Sequence, residues 1–479
     1  MSESNSSSPE PAAGARADAA GAPFARLGSG LADWSERWFP DAFVFALAAA
    51  VIVFLCGLLA GSSVPDLVKY FGDGFWSLIP FTMQMVMIIV GGYVVASSPP
   101  VYRLIGQLAG IPSTPRGAVA FVACVATCTS LISYGFSLIF AGFLAREISR
   151  RLSGADYRAL GAAAYLGLGS IWALGLSSSA ALLMATKSAM PATLFKISGL
   201  IPLSQTIYTW QSLLMAVILL AISVAVAWLS APTGSSARTA ASLGVTFDSM
   251  TMEMEPRRTP GEWLEYTPVL TLLICLMGFA FLGQVVATKG LQAALDLNTY
   301  NLLFLMLGLL LHWRPRSFTR AVSSAVPATA GVLVQFPFYA GIFGMNSLSP
   351  ISKTLADFFV HVSSRGAYPL LVALYSATLG LFVPSGGGKW LIEAPYVLAA
   401  ANDLKVHLGW IVQVYNAAEA LPNLINPFWM LPLLGILKLK ARDLAGYGLL
   451  QLLALAPAAF FLAWFLARTF SYVPPVFSP

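Results

Sequence analysis

Lys389 and Glu393 stand four residues apart in an otherwise apolar run, directly after the three glycines Gly386, Gly387 and Gly388. That spacing puts both charges on one helical face. One reading is a mutually satisfied pair, which is how charges inside a membrane are usually made tolerable. The other is that Lys389 binds an anionic carboxylate while Glu393 controls its charge by taking up a proton. A second acidic residue, Glu419, lies just before Pro422 and Asn423. Burial disfavours the charged form of a carboxylate, so Glu419 is a candidate proton site, or else it hydrogen-bonds a neighbouring chain break and never titrates.

Small polar residues cluster at four places in apolar surroundings. Ser130, Ser133 and Gly135 form the first, and Ser177, Ser178 and Ser179 the second. Ser385 with Gly386, Gly387 and Gly388 forms the third, and Asn423 with Asn426 the fourth. Hydroxyls and amides of this kind can hydrogen-bond a carboxylate or a dehydrated cation, and glycines let bare backbone N–H groups come close. A helix beginning at such a break directs its N-terminal N–H groups at an anion. Small residues also serve close helix packing, which is the competing explanation for any single cluster.

Other chemistries lack their residues. There is no His-Glu-x-x-His metal motif and no Gly-x-Ser-x-Gly elbow, so neither an enzyme nor a resident metal or cofactor is expected. Cys56, Cys124, Cys128 and Cys275 all lie in apolar segments and read as small packing residues. His312, His361 and His407 fall at the ends of apolar runs or in loops and read as interfacial. Gln84 and Gln335 occupy matching places in the two halves and read as bridges between helices.

The elements that must position these clusters are membrane spans. With 57% apolar and 10% charged residues and a mean hydropathy of +0.75, the chain is a polytopic helical membrane protein with the lipid bilayer as a partner and no nucleic-acid role. Apolar runs predict spans near residues 41–61, 75–97, 207–229, 264–286, 300–311, 325–345 and 446–467. Four further segments are apolar but interrupted: 117–148, 157–190, 367–401 and 408–437. Backbone freed from its helix in a bilayer is tolerated only where protein buries it or a wet cavity meets it.

Segment 117–148 is flanked by Arg103 and Arg116 on one side and by Arg146, Arg150, Arg151 and Arg158 on the other. A single crossing would put one cluster outside, against the positive-inside tendency, so a re-entrant hairpin is favoured. The same choice for 367–401 gives nine crossings and two hairpins, with a cytoplasmic amino terminus and most Lys and Arg residues inside. The expected fold is therefore an all-α, inverted-topology repeat with two re-entrant hairpins and two broken transmembrane helices. Its parts are a disordered cytoplasmic tail (1–34), a first repeat (35–229), a linker with a connecting helix (230–297), a second repeat (298–470) and a tail (471–479). Two opposed hairpins let one site face either side in turn. Amphipathic stretches 102–111 and 352–363 could act as arms between a moving hairpin unit and a fixed scaffold, and a homodimer would suit that layout.

Several runs also carry a family resemblance. Pro384-Ser385-Gly386-Gly387-Gly388 with Trp390, Asn423-Leu424-Ile425 with Pro427-Phe428-Trp429, and Lys440-Ala441-Arg442-Asp443 resemble the short-chain fatty acid transporter family of the acetoacetate/butyrate permease type. Met83-Gln84-Met85, the run from Ser133 to Ile139, Ala145-Arg146-Glu147 and Gly175-Leu176-Ser177 do so too. The similarity runs from about residue 35 to 470, and the layout is also similar to the wider ion transporter superfamily. The resemblance implies uptake of a small monocarboxylate at the cytoplasmic (inner) membrane, with H+ or Na+ as partner ion. Three places depart from the family pattern. Lys389 and Glu393 stand where glutamines are expected, and Trp172-Ala173-Leu174-Gly175 stands where a histidine and glycines are expected. Serine-rich breaks would suit Na+, whereas Glu393 or Glu419 would suit H+. A dicarboxylate transporter, or an ion-coupled exchanger, is the alternative, but two carboxylates call for more fixed positive charge than Lys389 offers beside Glu393.

Overall fold

The computed structural model describes residues 42–246, 256–381, 383, 385–426 and 428–477. The tail expected over residues 1–34 lies outside the described residues, as do Pro384 and Pro427 of the two breaks. Among the described residues there is no strand beyond one isolated bridge between Gly199 and Val476. The described residues are all-α, as the apolar runs predict.

The first half runs through α1 (Ala42–Leu59), α2 (Val64–Phe75), α3 (Ile79–Ala96), α4 (Pro99–Leu108), α5 (Pro115–Ser130) and α6 (Tyr134–Arg151). It continues through α7 (Tyr157–Leu166), α8 (Ser179–Ala185), α9 (Ala192–Ser198) and α10 (Trp210–Ser230). A peripheral helix, α11 (Val269–Lys289), leads to the second half. This comprises α12 (Leu297–His312), α13 (Pro315–Ala325), α14 (Ala330–Leu348), α15 (Ile351–Val362), α16 (Tyr368–Gly380) and α17 (Gly386–Asp403). It ends with α18 (Leu408–Ala420), α19 (Leu431–Leu437) and α20 (Ala441–Leu466). From α2 to α10 and from α13 to α20 the order recurs: short helix, long helix, amphipathic arm, helix pair, broken helix, long helix.

Both arms form where amphipathic stretches predicted them, as α4 and α15. Helix α2 was not among the predicted spans. It is amphipathic rather than apolar, and it starts on a Ser63 cap that accepts from the Asp66 N–H, with Pro65 in the first turn. It packs closely on α14, with Gly74 and Gly344 letting the two backbones approach.

Each helix pair turns on a serine. Ser133 accepts from the Phe136 N–H at 3.3 Å and starts α6, and Ser385 accepts from the Gly388 N–H at 3.2 Å and starts α17. An oxygen at this position satisfies one of the orphan donors of a helix start. In both pairs the first helix stops a few residues before that serine.

The two broken helices differ in detail. The first loosens earlier than its serines suggest: α7 passes into a π segment, Gly167–Ile171, then a 3-10 turn, Trp172–Leu174, before α8 restarts on its Ser178 cap. Such wide turns favour functional sites. The second ends α18 in a 3-10 turn, Leu421–Leu424, and restarts as α19.

Burial separates an inner unit from a periphery. The apolar window within residues 157–185 is 89% buried, against 17% for the window within 260–289. Six helical stretches among the described residues are long and apolar enough to cross a membrane, and three shorter apolar helices accompany them. The inner unit is therefore the two helix pairs with the two broken helices. Around it, α3 packs on α12, pinned where Gln84 Nε2 donates to Asn298 Oδ1 at 2.6 Å and Asn301 Nδ2 donates to the Gln84 carbonyl at 2.9 Å.

Candidate functional site

The buried charges come together as a trio rather than a pair. Lys389 Nζ lies 3.0 Å from Glu393 Oε1 and 2.9 Å from Glu419 Oε2, and it donates to the Ser376 carbonyl at 2.8 Å. All three charged side chains are buried. The Tyr415 ring covers the ammonium, with its centroid 4.5 Å from Nζ. Ser376 Oγ donates to Glu393 Oε2 at 2.5 Å and fixes that carboxylate. Three elements supply the cluster: α16 brings Ser376, α17 brings Lys389 and Glu393, and α18 brings Tyr415 and Glu419. The pairing of Lys389 with Glu393 was legible from their spacing, whereas Glu419 arrives from another helix.

The glycines at the start of α17 are there because the neighbours leave no room. A Cβ at Gly386 would lie 2.5 Å from Trp172 Cη2, one at Gly387 2.8 Å from Phe81 Cζ, and one at Gly388 2.5 Å from Tyr339 Cδ2. A Cβ at Gly387 would also meet Ser179 Cβ at 3.2 Å. The tip of the second helix pair is thus wedged against the first broken helix, through Trp172 and Ser179. Tyr415 closes the arrangement by donating its hydroxyl to the Gly386 carbonyl at 2.5 Å.

The first pair and the first break also meet. Ser177 Oγ donates to the Ser130 carbonyl, and Ser130 Oγ donates to the Thr127 carbonyl at 2.8 Å. Ser178 Oγ accepts from the Ala181 N–H at 3.0 Å as a cap. Asn423 presents its carbonyl to the Tyr165 hydroxyl at 3.0 Å, while its buried Oδ1 has no hydrogen-bond partner among the described residues. Asn426 stands half-buried at the same break. Ser130, Ser133, Ser177 and Ser178 are thus engaged in holding their own tips and breaks.

Two cavities lie against the two tips. The larger, about 410 Å³, is lined by Ser385 and Gln335 together with apolar walls that include Val332, Phe336, Trp429 and Pro432. The smaller, about 30 Å³, is lined by Tyr134 and Gly135 of the first tip, with Leu138, Leu168, Trp429 and Pro432. Ala328, Trp429 and Pro432 line both, so the segment just after the second break borders the spaces at the two tips. Of the site residues predicted from sequence, Ser385 reaches the large cavity and Gly135 the small one. Lys389, Glu393 and Glu419 lie beneath the glycine turn, outside either lining.

Several residues were missed or misread from sequence. Gln84 does bridge helices, but Gln335 faces the large cavity. His312 is not an interfacial residue: it is buried, with Nε2 at 2.9 Å from the Val94 carbonyl and Nδ1 at 2.8 Å from Ser317 Oγ, joining α12 to α3. His407 is also buried and caps α18 by accepting from the Trp410 N–H at 3.0 Å. Tyr415, Ser376, Trp172 and Trp429 form much of the site. Among these, Trp172 and Trp429 belonged to runs singled out in the sequence, and Tyr415 and Ser376 did not.

A many-spanning apolar helical core with two capped helix tips, two broken helices and cavities at the tips is that of a multi-pass membrane protein, and its relatives make it a transporter. The chain belongs to the short chain fatty acid transporter family, whose sequence profile matches residues 24–466. A protein of Escherichia coli (strain K12) named "Putative short-chain fatty acid transporter" is 36% identical over 420 residues, covering 87% of this chain and 94% of its own length. A Haemophilus influenzae (strain ATCC 51907 / DSM 11121 / KW20 / Rd) protein of the same name is 32% identical over 431 residues, covering 88% and 95%. Among solved structures, the Alcanivorax borkumensis YdaH transporter superposes with a TM-score of 0.59 at 14% identity, covering 91% of this chain and all of that one. Neisseria gonorrhoeae MtrF, described as one of a class of antimetabolite efflux pumps, gives 0.52 at 12% identity, covering 91% and 97%. At such identities the likeness to these two is one of fold.

Proposed function

We propose that this protein carries short-chain fatty acids and similar small monocarboxylates across the cytoplasmic membrane by alternating access, coupled to H+ or Na+. The observation that carries the reading is the cavity at Ser385. Its walls are apolar apart from Gln335 and Ser385, and the capped N-terminus of α17 begins at its edge. A short hydrocarbon tail suits the walls, and a carboxylate suits the positive end of a helix dipole. A dicarboxylate would need a second fixed cation, yet Lys389 already faces two carboxylates.

In this reading the two helix pairs are re-entrant hairpins of opposite orientation, the first opening from the cytoplasm and the second from outside, with the amino terminus cytoplasmic. The arms α4 and α15 then link the moving inner unit to the surrounding scaffold, and two chains pair through that scaffold. Substrate is held by Ser385, Gly386, Gly387 and Gly388 with the polar groups of Ser130, Ser133, Gly135, Ser177, Ser178, Ser179, Asn423 and Asn426 around the breaks. Lys389 sets the charge balance at the site rather than touching the substrate, and Glu393 and Glu419 answer to the coupling ion. One ammonium facing two carboxylates leaves one negative charge in excess, and a proton on Glu419 brings the cluster to neutrality.

The test is uptake of labelled butyrate and acetoacetate into proteoliposomes, with a pH gradient or a Na+ gradient imposed separately. Accumulation driven by one gradient supports the proposal and names the ion. Absence of uptake under both, with folded protein, would reject it.

A further inference from the structure

Lys389 has more anionic company than a buried amine needs. One carboxylate neutralises an ammonium, and each further buried charge adds a desolvation cost. Here two carboxylates from different helices, a backbone carbonyl and an aromatic face surround Nζ at 2.8–3.0 Å for the three oxygens, with the ring centroid at 4.5 Å. Hard cations take carboxylate and carbonyl oxygens, and a ring face adds attraction for a cation. The cage has the donors of a site for a dehydrated monovalent cation, and a tethered ammonium fills it.

We infer that Lys389 is a built-in cation occupying a Na+-type site formed by Glu393, Glu419 and the Ser376 carbonyl, and that removing its ammonium opens this site to dissolved Na+. For the transport reading, on which this consequence rests, a filled site accepts no coupling Na+ and leaves the proton as the ion handled at this position. Na+ binding at this cage requires no substrate.

The test uses purified full-length protein in detergent, prepared in Na+ and in choline, with wild type, Lys389→Ala, Lys389→Ala/Glu419→Gln and Lys389→Ala/Glu393→Gln/Glu419→Gln. The second variant leaves one carboxylate for one Na+, which keeps the site near neutrality should the first fail to fold. Radiolabelled Na+ binding and thermal unfolding are read for each. The expected result is one Na+ per chain beyond wild type in each of the first two variants that folds, with Tm rising by at least about 2 °C in Na+ over choline. The triple variant loses that gain. Folding of the first two variants in Na+ but not in choline supports the inference equally.

A folded Lys389→Ala or Lys389→Ala/Glu419→Gln protein with no gain over wild type overturns it. So does a gain that survives in the triple variant, or loss of both variants in either salt, since the cage would then require the amine itself. Failure of wild-type butyrate uptake, with the Na+ gain present, would sink the substrate reading and leave the cation site standing.

Discussion

The Tyr415 hydroxyl donates to the Gly386 carbonyl at 2.5 Å while its ring lies over the Lys389 ammonium. One side chain on the second broken helix therefore holds both the backbone that begins α17 and the charge one turn further in. Removing the hydroxyl and removing the ring should have different consequences. Tyr415→Phe is expected to lower stability by about 0.5–1.5 kcal/mol, the usual net value of one hydrogen bond, and to keep the ammonium covered. Tyr415→Leu is expected to lose more, since the cation–ring contact goes as well. Thermal unfolding of the two variants checks the order, and equal losses would contradict it.

The triple glycine predicts a steric result. At Gly387 a Cβ meets Phe81 Cζ at 2.8 Å and Ser179 Cβ at 3.2 Å, so Gly387→Ala must push the second tip away from the first broken helix. If that contact aligns the site, uptake of butyrate by Gly387→Ala should fall at least about tenfold, the effect of little more than 1 kcal/mol on the barrier. A companion Phe81→Leu substitution, which withdraws the ring, should restore part of the rate. Uptake equal to wild type in Gly387→Ala would show that the close fit has no part in transport.

Ser385 has two roles that one substitution separates. Its oxygen caps α17 through the Gly388 N–H at 3.2 Å, and it borders the large cavity beside Gln335. Ser385→Ala should cost about 1 kcal/mol of stability as a lost cap and also raise the KM for butyrate. Ser385→Asp keeps a capping oxygen but sets a negative charge where the substrate carboxylate is proposed to lie. It should therefore retain the stability while losing uptake. Normal KM in Ser385→Asp would place the carboxylate elsewhere.

Much of the fold was readable because its signals are local. Apolar runs gave the long helices within a few residues, and the breaks at 130–133, 175–179, 385–388 and 423–426 announced themselves by composition. What could not be read is what depends on neighbours distant in sequence. Glu419 joins Lys389 only because α16, α17 and α18 converge, and Trp172 fits against Gly386 only because the second tip reaches the first break. Helix α2 was missed for a different reason: its alternation of Asp66, Lys69 and Asp73 with apolar residues lowers its hydropathy although one face packs on α14. The first break begins at Gly167 rather than Gly175, in a π segment whose single polar side chain, Ser170, gave too weak a signal to mark it. There Ser170 Oγ satisfies the Leu166 carbonyl at 2.5 Å.

The proton role of Glu419 makes a prediction about pH. For proton-coupled uptake, a fall in external pH increases the driving force and the rate. With Glu419 as the group that brings the buried cluster to neutrality, Glu419→Gln fixes that position as uncharged and should flatten the rise, whereas Glu393→Gln, whose partner Ser376 holds it in place, should disturb it less. The check is initial uptake into proteoliposomes over a series of external pH values with the internal pH held constant. A Glu419→Gln protein that keeps the full wild-type profile would remove Glu419 from the coupling pathway.

Asp156 anchors the first broken helix from its other end. Its Oδ1 accepts from the Ala159 N–H at 2.8 Å and caps α7, while its Oδ2 accepts from the Arg238 N–H at 2.9 Å and pairs with Arg158 at 3.2 Å. The side chain is buried, so its loss leaves two backbone donors without their acceptor, and one of these belongs to the linker after α10. Asp156→Ala should therefore cost about 2 kcal/mol, and Asp156→Asn, which retains one acceptor oxygen, less than half of that. Arg158 is partly exposed, so Arg158→Ala should be the mildest of the three. Thermal unfolding ranks the variants, and limited proteolysis reads the linker directly: cleavage near Arg238 should accelerate in Asp156→Ala and stay at the wild-type rate in Arg158→Ala. Equal cleavage in both would mean that the ion pair, not the cap and the Arg238 N–H, holds the linker to the helix.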